Sequence, residues 1–251
     1  MARRSTNAAV NIDPEYLPVV RLCILRAFLR CNGVAEFIEE DSFSDNRVAR
    51  VLGYPDRASS RFTKRSALNS LQRKLAELER ACVAFPTDTV IARNIRLLGD
   101  RLGLQAADRD ILHLAVISCA WPEIDLALDM SGRLTYGGVC QLLADCLGHP
   151  MPDVRAALDG RAPMARSAIL WIDKSRSYHF SAKVELLEGL PEELMLQRDD
   201  MLDMFGSSVV RSPPPKLAMA DYAHLSEDLA ILRCWRRPKT EPLLRVVPTQ
   251  N

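Results

Sequence analysis

Apolar residues recur three and four positions apart through most of the first half of the chain, the spacing that gives a helix one greasy face. Residues 1–12 lack this rhythm and are expected to be disordered. Pro14 then opens a helix whose stripe is Leu17, Val20, Ile24, Phe28 and Cys31, with Gly33 as its stop. A short helix is expected in 44–54, and a longer one from Thr63 to Cys82 with Leu68, Leu71, Leu75 and Leu78 on its seam. Asp88 is a candidate cap for a helix carrying Ile91, Ile95, Leu98 and Leu102, ended by Gly103. Ile111, Leu112, Ala115, Val116 and Cys119 repeat the pattern, and Pro122 suits the first turn of a short helix to Met130. These elements predict a helical domain over 13–131.

From Thr135 the elements shorten. A capped helix with Val139, Leu142, Leu143 and Cys146 should close at Gly148, followed by short helices at 152–158 and 163–168. Two β-prone runs, Ile169–Ile172 and Tyr178–Val184, flank the polar segment Asp173–Ser177 and predict a hairpin. Three short helices and a hairpin, in that order, predict a winged-helix-like domain over 132–205. A proline- and serine-rich linker at 206–220 leads to a helix over 221–237 with Leu225, Leu229 and Leu232 in a stripe, and then to a disordered tail at 238–251. The fold class is therefore mainly α: a helical bundle, a winged-helix-like unit with a β-hairpin, a linker and a C-terminal helix.

Charge narrows the partners. The 33 basic and 32 acidic residues nearly cancel, so no global field draws the molecule to nucleic acid. The longest stretch without Asp, Glu, Lys or Arg runs from Ile111 to Pro122. A membrane span needs roughly 20 apolar residues, so no membrane segment is expected. Seven cysteines, none in a CxxC pair, read as reduced, buried apolar residues and imply a cytoplasmic location.

Chemistry is sparse. No GxxxxGK[ST] or GxGxxG loop is present to cradle a phosphate. Cys140, Cys146 and His149 lack the spacing of a zinc half-site, and Asp110 with His113 reads as a pair on one helix face with no nucleophile nearby. No catalytic, cofactor or metal site is expected. A mild basic bias around the third short helix and the wing singles out Arg166, Lys174, Arg176 and Lys183 as candidate phosphate contacts. The stretch PMARSA offers only Arg166 and Ser167 to a groove, too few for base readout. Winged helices also dock proteins, and both readings stay open on the residues alone.

Three segments carry a resemblance. Leu102-Gly103-Leu104 with Asp108-Arg109-Asp110-Ile111-Leu112 and Ala115, then Ser167-Ala168-Ile169-Leu170, then Tyr222 to Arg233 (YAHLSEDLAILR) resemble the region ahead of the ATPase domain in a class of bacterial AAA-type ATPases. The last is similar to an HL-x-EDL-x-LLR helix that leads into that domain. The resemblance implies a non-catalytic accessory region that binds a protein partner or substrate of an ATP-driven remodelling machine. Leu225, Leu229 and Leu232 would pack on the ATPase domain, or self-associate without it. Gln105 departs from the small capping residue expected before Asp108. The family continues into a GPPGTGK-type loop, whereas here RRPKTEPLLRVVPTQN ends the chain. The expectation is a truncated product without ATPase activity; a stand-alone winged-helix regulator that binds DNA is the alternative.

Overall fold

The computed structural model describes residues 11–54, 62–198 and 204–205. The linker, the helix with Leu225, Leu229 and Leu232, and the tail lie outside them. Eleven helices and one two-stranded antiparallel sheet build the described residues: the protein is mainly α, a helical bundle with a small β-hairpin.

Helix α1 (Leu17–Arg30) starts later than the Pro14 signal, with Pro18 in its first turn. Ile12, expected in a disordered end, is buried beneath it. The helix stops because Asn32 turns left-handed at φ 66°. Gly33 serves a different need: a Cβ there would lie 2.7 Å from Phe28 Cδ1. Helix α2 (Val34–Phe37) follows, and Phe28 stacks on Phe37 at 4.5 Å. Asp45 caps α3 (Asn46–Val51) through the amides of Arg47 and Val48. Thr63 and Ser66 form a capping box for α4 (Lys64–Arg80), which buries Leu71 and half-buries Leu68, Leu75 and Leu78.

Arginines on α1 tie these helices together. Arg26 and Arg30 both reach Glu79 on α4, Arg21 donates to Val51 O at 2.6 Å, and Arg26 donates to Cys146 O at 3.0 Å. The last bond crosses to α8 (Tyr136–Leu147), against which α1 packs as closely as against α4. Segments 13–131 and 132–205 thus contribute to one continuous core.

The cap of α5 (Val90–Leu102) is Thr89, not Asp88: its hydroxyl accepts from Ala92 N at 3.2 Å. Gly103, at φ 72°, ends the helix in the left-handed region that favours glycine. Helix α6 (Ala106–Ala120) is the axis of the molecule. Every residue from Ile111 to Ser118 is buried, because α5, α7 (Pro122–Asp129), α8, α9 (Met151–Ala157), α11 (Leu190–Met195) and strand β2 (Val184–Leu186) surround it. A one-sided stripe was the expectation, yet Leu114 and Ile117 are covered too, while Cys119 is exposed. Each such Leu or Ile contributes about 1.5–3 kcal/mol of burial. At the helix entry Asp108 accepts from Gln105 N at 2.8 Å, and the Gln105 side chain donates to Gly103 O instead of capping. Trp121 bends the chain into α7 (Pro122–Asp129). Among the described residues no single helix is long and apolar enough to cross a membrane.

Thr135 caps α8 and Gly148 closes it; α9 (Met151–Ala157) and α10 (Pro163–Arg166) follow. The hairpin forms with a shifted second strand. Strand β1 (Leu170–Ile172) pairs with β2 (Val184–Leu186), not with the run starting at Tyr178. Tyr178 instead bridges to Leu134, ahead of α8, and Phe180–Ala182 forms a 3₁₀ turn. Helix α11 (Leu190–Met195) completes the described fold. The buried Asn94 of α5 catches its end, donating to Leu194 O at 2.9 Å and Leu196 O at 2.7 Å.

Candidate functional site

The hairpin is a firmly held platform. Lys183, buried at 0% exposure, donates its ammonium to the carbonyls of Asp173 and of Arg176, the latter at 2.6 Å. Arg133 donates to Ser177 O through Nε at 3.0 Å and Nη2 at 2.8 Å. Asp129 accepts from Ser181 N at 2.9 Å and Ser181 Oγ at 2.7 Å. The loop between the strands is thereby fastened at both ends and at its middle. On β1, Leu170 and Ile172 face inward and Trp171 faces out, 43% exposed, opposite the exposed Glu185. With Met195 and Leu196, Trp171 completes the exposed large apolar side chains of the described residues.

These contacts correct one candidate. Lys183 cannot offer its charge to a phosphate, because the ammonium is consumed inside the hairpin loop. Arg166, Lys174 and Arg176 are exposed, with the Lys174 ammonium 4.7 Å from the Tyr136 ring centroid. Helix α10, the nominal reading helix, is only four residues long. A groove-reading helix needs several side chains on one exposed face.

A second surface lies where α1 and α5 begin. A cleft of about 370 Å³ has Asp13, Glu15 and Asp88 on its rim beside Arg93, and Val90, Trp121 and Met195 as apolar walls. Below it Tyr16 Oη lies 2.6 Å from Thr89 Oγ1 and 2.9 Å from His113 Nε2, while Phe85 stacks on His113 at 4.2 Å. Burial pushes the Tyr16 phenol up to about 12 and the His113 imidazole down to about 4. Both groups are therefore neutral near pH 7 and suited to fastening α1, α5 and α6 rather than to proton transfer.

Asp110 and His113 do not pair. Asp110 turns to His149, with Oδ2 and Nε2 2.7 Å apart, and His113 turns to Tyr16. Cys146, grouped with Cys140 and His149 in the sequence, faces Cys23: each thiol approaches the other's carbonyl oxygen, at 3.4 and 3.7 Å. Burial pushes Cys23 up to about 12 and Cys146 well above the ordinary thiol value, so neither supplies a thiolate near neutrality. No group of three His, Cys, Asp or Glu side chains suited to a metal ion occurs among the described residues.

Comparison with protein-family models, with curated proteins and with solved structures finds no match for this chain. Trp171, Tyr16 and Thr89 escaped the sequence reading. The alternation Leu170-Trp171-Ile172 inside a strand was the available signal for an outward Trp171. Nothing local announces that Tyr16 meets a histidine 97 positions away.

Proposed function

We propose that this chain is the accessory, partner-recognition region of a bacterial AAA-type ATPase, with a winged helix that docks protein. The observation that supports this reading is Trp171, a large aromatic standing out on a hairpin whose loop is pinned by Lys183, Arg133 and Asp129. An exposed tryptophan on a preorganised surface is the side chain most enriched among residues that dominate protein–protein affinity. Met195 and Leu196, held outward by Asn94, provide a second apolar contact. The resemblance in the LGL…DRDIL and YAHLSEDLAILR segments supplies the ATPase context. Duplex DNA would need Arg166, Lys174 and Arg176 to act without Lys183 and with a four-residue helix.

A photo-activatable residue in place of Glu185, opposite Trp171, tests the proposal in cells of the source organism. The expected product is a cross-link to an AAA-type ATPase or its protein substrate that disappears on Trp171→Ala. Saturable, salt-dependent binding of labelled duplex, lost on reversing the charges of Lys174 and Arg176, would replace this reading with the DNA-binding one.

A further inference from the structure

A cavity of about 210 Å³ opens between α6, α7 and the hairpin segment. Ala115, Pro122, Phe180, Val184 and Leu186 supply apolar walls. Asp125 is the ionisable carboxylate in the lining, half-buried, and it has no hydrogen bond or ion pair among the described residues. The two hydroxyls there have already spent their protons. Ser118 Oγ donates to Leu114 O at 2.8 Å, and Ser181 Oγ donates to Asp129 Oδ2 at 2.7 Å, so both hydroxyls retain only acceptor capacity toward the cavity. The Cys119 thiol, pushed up by burial and by Asp125 and Glu192, stays protonated and weakly polar.

We infer that this cavity is a binding site for a primary ammonium group on an unbranched alkyl stem. An ammonium brings three donors and no acceptor, which matches a lining of one carboxylate and two spent hydroxyls. The stem suits the apolar walls, and the volume, below the roughly 300 Å³ of an ordinary ligand pocket, limits the occupant to side-chain size. The electrostatics agree. Burial, and then the neighbouring Asp129, lift Asp125 to about 6, the signature of a carboxylate short of positive charge. Asp129, itself a carboxylate whose two oxygens accept from Ser181, adds repulsion and supplies no positive charge. Position in the first turn of α7 accounts for an acidic residue at Asp125 but not for the cavity in front of it. The ammonium could arrive on a free alkylamine or on a lysine of a polypeptide, and the inference holds for either source without depending on Trp171.

The full-length protein, titrated near neutral pH and followed by amide chemical shifts, tests this. n-Butylammonium should give saturable shifts at Cys119, Phe180 and Val184 in the millimolar range expected of so small a ligand. n-Butanol, equal in shape but uncharged, should not. Nα-acetyl-lysine N-methylamide is the second probe: tighter binding than the alkylamine assigns the site to a polypeptide lysine, and weaker binding assigns it to a free amine. Asp125→Asn, nearly isosteric, should weaken the better probe by about tenfold or more with its melting curve intact. Equal shifts with n-butanol, unaltered affinity in Asp125→Asn, or no saturation by either amine would overturn the inference. Should Asp125→Asn fail to fold, filling the cavity with Ala115→Leu must abolish the shifts, and their survival would overturn it too.

Discussion

His113 makes the stability of this protein depend on acidity in a way that can be separated from every other titration. Its imidazole is 4% exposed, touches Tyr16 Oη and lies under Phe85, and burial lowers its pKa from the ordinary 6.5 to about 4. The folded state thus favours the neutral ring. The stability it contributes is present above 6.5, where both states hold it neutral, and is lost as pH falls from 6.5 toward about 4. One pKa unit corresponds to about 1.4 kcal/mol, so the full interval is worth roughly 3 kcal/mol, of which about 2.5 kcal/mol should already be gone at about pH 4.5. In His113→Phe the ring keeps its stack with Phe85, and Tyr16 keeps Thr89 as a hydrogen-bond partner. That variant should be less stable near neutrality by about 1 kcal/mol for the lost hydrogen bond. Its further loss on acidification should be smaller than that of the unmodified protein by about 2.5 kcal/mol. Urea unfolding of both proteins at the two pH values gives the double difference, in which titrations common to both cancel. Parallel pH profiles would refute the argument, as would an NMR titration placing the His113 pKa at or above 6.5.

Three further outcomes are expected. Gly33→Ala should destabilise by about 1–3 kcal/mol in urea melts, against the usual gain for such a change. The new methyl meets Phe28 at 2.7 Å from its ring and 3.2 Å from its Cα, and that ring is stacked on Phe37. Lys183→Met should strip the Asp173 and Arg176 carbonyls of their donor and cost about 1–3 kcal/mol, with faster amide exchange confined to the hairpin loop. Trp171→Ala should leave the urea midpoint within about 0.5 kcal/mol of the parent while removing the Glu185 cross-link; a large loss of stability would mean the indole is structural.

What could be read before the structure was what neighbours in sequence decide. Thr135 caps its helix, and Gly103 and Gly148 end theirs, because capping and left-handed turns are local chemistry. Asp88 lost its place to Thr89 by a single position, the ordinary uncertainty of a helix boundary. The stripe expected on α6 understated its burial, since periodicity cannot tell a helix covered on one side from one covered all round until its neighbours are known. The second strand slipped for a distant reason: Leu134 claims Tyr178, and the buried Lys183 ammonium folds the loop back before β2 can start. Lys183 looked like a surface cation because its two carbonyl partners are visible only once the loop closes. Asp125 was invisible for a related reason, the cavity being assembled from α6, α7 and the wing.

The covered axis at α6 also bears on how the chain is made. Its last covering pieces, β2 and α11, lie some seventy residues downstream of Ala120. At about 5–20 residues per second, a ribosome needs roughly 4 to 14 s to deliver them. Throughout that interval the largely apolar run from Ile111 to Ser118 waits without a complete sheath, its packing postponed until the hairpin has emerged. Synthesis of this protein therefore carries a built-in window of stickiness for its most covered helix, closed only once β2 and α11 have been made.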